Sequence, residues 1–238
     1  MESKFIEFKN TDILPIDGII TKTKKDSKQI KKQKGIEKVI KRTMDYLVGI
    51  FGTILLIPVT IIIYILNRMA KDKGPVFYTQ ERIGKDGKIF KMFKYRSMIV
   101  GADEVLEKYL KENEEARKEY KKYKKLKNDP RITKVGNFLR KTSLDELPQV
   151  LNLFKDMTLV GPRPYLPREK EEMGKYYDTI IEDMPGITGY WQISGRSNTT
   201  FQDRLNLDIE YNKEKSLKKD IEIIFKTILT VFKGEGAV

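Results

Sequence analysis

The 238-residue chain contains no cysteine and no histidine. Without thiols there is no disulfide, no thiolate nucleophile and no cysteine-ligated zinc, and the chain suits a reducing compartment. Without imidazole, Ser-His-Asp hydrolysis, Cys-His proteolysis and HExxH metallopeptidase chemistry are excluded. Any general base or nucleophile must be Asp, Glu, Lys, Ser, Thr or Tyr. Any metal must be held by oxygen, which favours Mg²⁺ or Mn²⁺. No apolar core lies within the first thirty residues, so no secretory signal opens the chain. No internal repeat is visible. Apolar residues make up 39% and charged residues 34%. Much of that charge must sit on solvated surface.

Positive charge is abundant. The net charge is +13, and Lys22 to Arg42 sets ten basic residues against Asp26 and Glu37. Nucleic acid or an anionic membrane surface would each account for such a run. The run abuts Tyr46 to Leu66, 21 residues without a charge, and that adjacency favours the membrane.

The uncharged stretch predicts a helix over 36–67. At about 1.5 Å per residue its 21 residues reach roughly 30 Å, enough to cross a bilayer. Pro58 lies inside it, removes a backbone donor and predicts a kink. Lys38, Lys41 and Arg42 precede the stretch, and Arg68, Lys71 and Lys73 follow it. The positive-inside rule then places both ends in the cytoplasm. A re-entrant helical hairpin satisfies these features; a single-pass anchor is the simpler alternative. Charge and proline alone do not choose between them.

Val76 to Met98 predicts a β-hairpin turning at Asp86-Gly87. Asp103 to Lys127 predicts one solvated amphipathic helix, acidic early and basic late. Leu144 to Phe154 predicts a short helix burying Leu147, Val150, Leu151 and Phe154. Gly186 to Asn198 predicts a glycine-punctuated loop around the single tryptophan. Ser216 is placed to cap a last helix, Leu217 to Phe232, that is either core or interfacial. The chain is thus expected to be α+β and mostly helical. It combines a membrane helix, a small β-hairpin and amphipathic interfacial helices. The expected divisions are a flexible basic arm (1–35), the membrane helix (36–70) and a cytoplasmic catalytic domain (71–238).

Chemistry concentrates at Thr142 to Gln149, where Asp145 and Glu146 stand side by side before Pro148. Asp145 in the first turn of a helix is also a normal N-cap, and Ser143 with Glu146 is an alternative capping box. The same geometry suits phosphate, since helix N-termini draw anions. One carboxylate could then hold a metal while the other attacks phosphorus. Arg131, Lys134, Arg140 and Lys141 precede the pair and Arg163 follows it. Pro162 and Pro164 fix the backbone on either side of Arg163. Gln192, Ser194, Arg196 and Asn198 could hydrogen-bond a nucleotide or a sugar.

Five stretches in order carry a resemblance that runs from about Lys38 to the C-terminus. They are Lys41–Gly49, Gly74–Met98, Asp129–Pro164 (with TSLDELPQ and GPRP), Pro185–Arg196 and Leu207–Thr227. Together they resemble the bacterial sugar transferases, the monotopic polyprenol-phosphate phosphoglycosyl transferases. The resemblance implies transfer of a sugar-1-phosphate from a UDP-sugar to undecaprenyl phosphate with release of UMP. That reaction starts capsule, O-antigen or exopolysaccharide synthesis. It implies Mg²⁺, Asp145 as nucleophile forming a covalent phosphosugar, and Glu146 as metal ligand. Arg140 and Arg163 are the implied phosphate contacts. Lys94, Arg96, Gln192 and Arg196 are further candidate substrate contacts. Pro58 is the implied breaker of a re-entrant helix, which moves the reading of that stretch to re-entry.

Larger members carry four extra membrane helices ahead of the catalytic part, so a minimal catalytic form is expected. Trp191 to Arg196 is more similar to members handling galactose or glucose; an N-acetylated or diacetamido sugar is the alternative. The expected place is the cytoplasmic face of the bacterial plasma membrane. Expected partners are membrane lipid and downstream glycosyltransferases, with a homodimer left open and no nucleic acid. A lipid-anchored nucleic-acid binder and a non-catalytic scaffold compete. The first lacks a recognisable binding module, and the second has no need of paired carboxylates beside Arg163.

Overall fold

The computed structural model describes residues 35–194 and 199–232. The basic arm therefore lies outside the described residues, save for Gly35. Met1–Ile30 and Lys31–Val238 form separate units, and only the second is described below.

Helix α1 spans Gly35–Met69 and continues through Pro58. One stripe of it is buried, at Asp45, Gly49, Leu56, Ile63 and Asn67. The spacings of four and seven keep these on one face. The rest is exposed and apolar: Phe51 is 70% accessible, Ile57 64% and Ile54 62%. Among the described residues α1 is the one helix long and apolar enough to cross a membrane.

Strands β1 (Phe77–Ile83) and β2 (Ile89–Tyr95) pair antiparallel, from Phe77 opposite Tyr95 to Ile83 opposite Ile89. Asp86 and Gly87 both take positive φ, 56° and 75°. This is the backbone that the Asp-Gly signal demands. Phe90, Met92 and Tyr95 of β2 face the core.

The single helix expected over 103–127 is instead two, α2 (Ala102–Glu112) and α3 (Glu114–Tyr123). Asn113 breaks them with extended dihedrals (φ −127°, ψ 104°). Asn competes for its own backbone and favours helix ends; here its amide donates to Tyr109 O at 3.1 Å. The break folds the pair around a small core of Leu106, Ala116 and Leu126.

Helix α4 is Lys134–Lys141, capped by Thr133 whose hydroxyl accepts from Gly136 N–H. Leu144–Phe154 winds as a 3₁₀ helix rather than an α-helix. Tighter winding changes which side chains face inward. Val150 and Leu153 are buried, Leu147 and Leu151 are partly buried against them, and Phe154 is 37% accessible beside Tyr46. Strand β3 (Thr158–Val160) follows. Next come two short helices, α5 (Lys170–Met173) and α6 (Tyr177–Ile180).

The stretch read as a loop from Gly186 holds β4 (Gly186–Thr188) and α7 (Tyr190–Ile193). β4 pairs parallel with β3, Thr158 opposite Gly186. Only glycine fits this pairing: a Cβ on Gly186 would stand 2.1 Å from Gly161 N. Helix α8 (Phe201–Glu214) starts in a reciprocal Thr200–Asp203 capping box. Helix α9 is Leu217–Phe232, as the periodicity predicts. It settles as both core and surface. Ile223 is fully buried, whereas Phe225 and Leu229 are 65% and 60% accessible. The described chain is thus mostly helical, with one small hairpin and one long apolar helix.

Polar groups seat α1 on the rest. Lys41 donates to Val160 O, the Tyr211 hydroxyl and Asp220 at 2.6, 2.9 and 2.8 Å. Arg42 donates to Phe154 O and Met157 O at 2.9 and 3.1 Å. The buried Asp45 accepts from Thr158 Oγ1 and Leu159 N–H at 3.0 and 2.8 Å. Two of the three cations that precede the membrane stretch are therefore turned into the protein. Further along, the Tyr95 hydroxyl meets Thr60 Oγ1 at 2.7 Å and Leu56 O at 3.4 Å. These contacts bracket Pro58.

Candidate active site

The 3₁₀ helix, β2, α4 and the Gly161–Pro164 loop meet around a cavity of about 500 Å³. Ser143 enters the 3₁₀ helix at positive φ (57°) and makes no side-chain capping bond. The capping role open to the Asp145 pair is thus not taken up at Ser143, and both carboxylates line the cavity. Lys94 reaches across from β2 and donates to Glu146 Oε1 at 2.7 Å.

The two carboxylates differ in their surroundings. Burial pushes the Asp145 carboxyl up; Lys94 opposes this, Glu146 adds to it, and Arg140 opposes it. Burial acts the same way on Glu146, but Lys94, Arg163 and Arg82 outweigh it and hold that group below its ordinary range. Glu146 keeps 45% of its side chain accessible. It is an ionised oxygen donor, while Asp145 is the more basic of the two.

The Gly161–Pro164 loop is pinned on several sides. Arg163 N–H donates to Asp208 Oδ2 at 3.1 Å, Pro162 O accepts from Gly186 N–H at 2.8 Å, and Pro164 O accepts from Arg82 at 2.9 Å. Asp208 is fully buried and also accepts from the Tyr165 hydroxyl at 2.7 Å. The Arg163 guanidinium lies 5.0 Å from the Trp191 ring and that of Arg204 5.3 Å from it. Such stacking orients a guanidinium without consuming its donors.

Six expected site residues line this one cavity: Asp145, Glu146, Arg140, Arg163, Lys94 and Gln192. Arg96 does not. Its guanidinium is committed to Asp72 at 2.8 Å and to the carbonyls of Pro75 and Met98 at 2.6 and 3.0 Å. The side chain ties the start of the hairpin to the end of α1, so Arg96 is a structural tie. Arg196 lies outside the described residues.

Further residues line the cavity without having been proposed as contacts, among them Arg82, Lys124, Lys125, Trp191 and Arg204. Trp191 had a signal, as the sole tryptophan beside Gln192. The four cations had none, being scattered in a sequence with 47 Lys and Arg. Buried Arg82 Nε, Arg163 Nε, Trp191 Nε1 and Gln192 Oε1 have no hydrogen-bond partner among the described residues. Buried polar atoms are rarely left so, and three donors with one acceptor suit an anionic, oxygen-rich ligand.

The donor set for a cation is limited. Among the described residues no three acidic side chains cluster. Glu146, an ionised oxygen donor lining the cavity, fits Mg²⁺, which keeps waters and is commonly held by one or two carboxylates plus substrate phosphates.

Comparison with known proteins agrees with this geometry. Residues 36–234 match the family model described as bacterial sugar transferase. The undecaprenyl-phosphate galactose phosphotransferase of Salmonella typhimurium is 45% identical over 199 residues, covering 83% of this chain and 41% of its own. The exopolysaccharide production protein ExoY of Sinorhizobium fredii is 40% identical over 200 residues, covering 84% and 88%. The UDP-glucose:undecaprenyl-phosphate glucose-1-phosphate transferase of Escherichia coli is 38% identical over 214 residues, covering 84% and 41%. Several curated relatives are thus matched over only about two fifths of their own length. The chain belongs to the bacterial sugar transferase family.

Proposed function

We propose that this chain transfers a hexose-1-phosphate, galactose or glucose, from a UDP-sugar to undecaprenyl phosphate, releasing UMP. The product begins a capsule, O-antigen or exopolysaccharide. The observation that carries this reading is the pair Asp145 and Glu146, held in different electrostatic settings inside a cavity walled by cations. The names of the Salmonella and E. coli relatives support the same donor and acceptor classes.

The mechanism has two displacements. A carboxylate oxygen of Asp145 attacks the β-phosphorus of the UDP-sugar. The bond from that phosphorus to the bridging oxygen breaks, and UMP leaves with the oxygen. An oxygen of undecaprenyl phosphate then attacks the same phosphorus, the bond to Asp145 breaks, and the carboxylate is restored. Splitting the transfer keeps two anionic substrates from crowding one centre. Arg140 and Arg163 offset charge on the phosphate oxygens. Lys94 keeps Glu146 ionised and occupies only Oε1, leaving Oε2 to a metal. Mg²⁺ held there would neutralise charge on the diphosphate.

Re-entry of α1 on the cytoplasmic face is part of this reading. The helix touches the same unit from Lys41 to Ile63, about 33 Å of helix at 1.5 Å per residue. A helix crossing the ~30 Å apolar core could keep those contacts only by drawing the charged domain into lipid, at high cost. The exposed apolar faces of α1 and α9 supply the lipid contact instead.

A panel of UDP-sugars labelled at the β-phosphate tests the reading. One sugar should yield UMP and leave label on the protein until undecaprenyl phosphate is added. Strictly sequential kinetics, with no label ever retained, would refute the covalent step.

A further inference from the structure

One cation of the cavity wall comes from a part of the chain that the Asp145–Glu146 mechanism leaves unused. Helix α3 ends at Lys124, which sits in the left-handed region at φ 56°. The turn there brings both Lys124 and Lys125 to the cavity. The two lysines then part. Lys124 donates to Glu172 at 2.6 Å and lies 5.4 Å from the Phe201 ring. Lys125 is half-buried and has no hydrogen-bond or ion-pair partner among the described residues.

The charged groups facing Lys125 are Arg204 on α8, Arg140 on α4 and Glu119 on α3. Burial, then Arg204 and Arg140, push its ammonium down to about 8, and Glu119 opposes this only in part. Arg204 is not free to move away. It donates to Thr199 O at 3.0 Å and to Tyr123 O at 3.3 Å. The latter bond also fastens the end of α3 to α8, and the Lys124–Glu172 pair fastens the next residue. The docking of the α2–α3 hairpin therefore places Lys125 on the cavity wall that Arg140 and Arg204 also line. Like charges held together at a cavity wall repel unless an anion joins them. Arg140 in turn lies close enough to act on Asp145, so that anion belongs beside the reacting centre.

We propose that Lys125 binds a phosphate group of the substrates, and that the α2–α3 hairpin delivers this ammonium to the active site. The proposal rests on the phosphoglycosyl transfer reading for the identity of the phosphate. Donor and acceptor both carry one. A bound phosphate would restore the proton affinity that Arg140 and Arg204 take from Lys125. Its binding should weaken as the pH rises through about 8, where the free ammonium loses its proton.

The test compares the full chain with Lys125→Met, Lys125→Arg and the exposed neighbour Lys127→Met. Binding of inorganic pyrophosphate is measured by calorimetry from neutral pH to well above 8. Lys125→Met should weaken it roughly tenfold or more, the scale of one charge-assisted hydrogen bond. Lys125→Arg should retain it and lose the decline above pH 8, and Lys127→Met should match the parent. Unchanged affinity and an unchanged pH profile in folded Lys125→Met would overturn the proposal, whether or not the parent turns over any UDP-sugar. Turnover then separates the sources. A defect in single-turnover UMP release without acceptor assigns Lys125 to the donor, and a raised KM for undecaprenyl phosphate alone assigns it to the acceptor. Absence of UMP release by the parent with every UDP-sugar would count against the transfer reading alone.

Discussion

Asp145 and Glu146 are chemical near-twins one peptide apart, and their surroundings separate them. Lys94 claims Glu146 at 2.7 Å, while burial, only partly offset by Lys94 and Arg140, raises the basicity of Asp145. Asp145→Asn keeps the shape and loses the carboxylate proposed as nucleophile. We expect stability within about 1 kcal/mol of the parent and UMP release below detection, read by a melting curve and a nucleotide assay on one preparation. Retained turnover would remove Asp145 from the chemistry. Asp208 gives a second, independent prediction. Burial pushes it up to about 7, against about 3.9 in an unfolded chain. Between those values the folded state holds the proton more tightly, so stability falls as the pH climbs from about 4 to about 7. Asp208→Asn should flatten that part of the melting-temperature profile. An unaltered slope in the variant would assign the dependence to other groups.

The elements meet through a few exacting contacts. Asp45 is 1% accessible and satisfies both Thr158 Oγ1 and Leu159 N–H. Asp45→Ala strands two donors where α1 joins β3, at a cost of about 1–3 kcal/mol. The melting temperature in detergent should drop by several degrees; a drop of under one degree would mean water replaces the carboxylate. The β3–β4 pair admits no side chain between Gly161 and Gly186. Gly186→Ala must move backbone, at a cost of about 1–3 kcal/mol or more. It should also loosen Arg163, since Gly186 N–H holds Pro162 O. Proteolysis and a raised KM for the UDP-sugar would report it.

For the whole molecule the proposed arrangement to test is that an apolar helix and a charged unit share one bilayer face. The absence of native cysteine makes single-cysteine labelling direct. Cysteine introduced at Lys38 or at Lys73 should resist an impermeant thiol reagent in intact cells and react once they are opened. Labelling of just one of the two in intact cells would establish a crossing helix. Pro58→Leu restores a helical donor and removes a steric clash, together worth about 3 kcal/mol. Altered labelling with lost activity is the expected outcome. Parental labelling and rate would mean the Tyr95 contacts with Thr60 and Leu56 set the path of the helix without the proline.

Local chemistry alone determined much of this protein. The lack of cysteine and histidine left Asp, Glu, Lys, Ser, Thr or Tyr for any base or nucleophile and oxygen donors for any metal. Asp86-Gly87 fixed the hairpin turn, a long uncharged run fixed α1, and periodicity fixed α9 to its last residue, because each signal lies within a few neighbouring residues. Asp145, Glu146, Arg140 and Arg163 were legible because they sit in compact motifs. Contacts between distant parts of the chain were not legible. Nothing near Arg96 in sequence says that Asp72 and two carbonyls consume it, and nothing near Lys41 says that Asp220 does. Asn113 splits a pattern that reads as one helix, and Lys125 comes to line the same cavity as Arg140 and Arg204. A lysine in a basic run looks solvated until the fold decides what faces it. Charge type is written in the sequence, whereas burial and partnership arise only when distant segments pack.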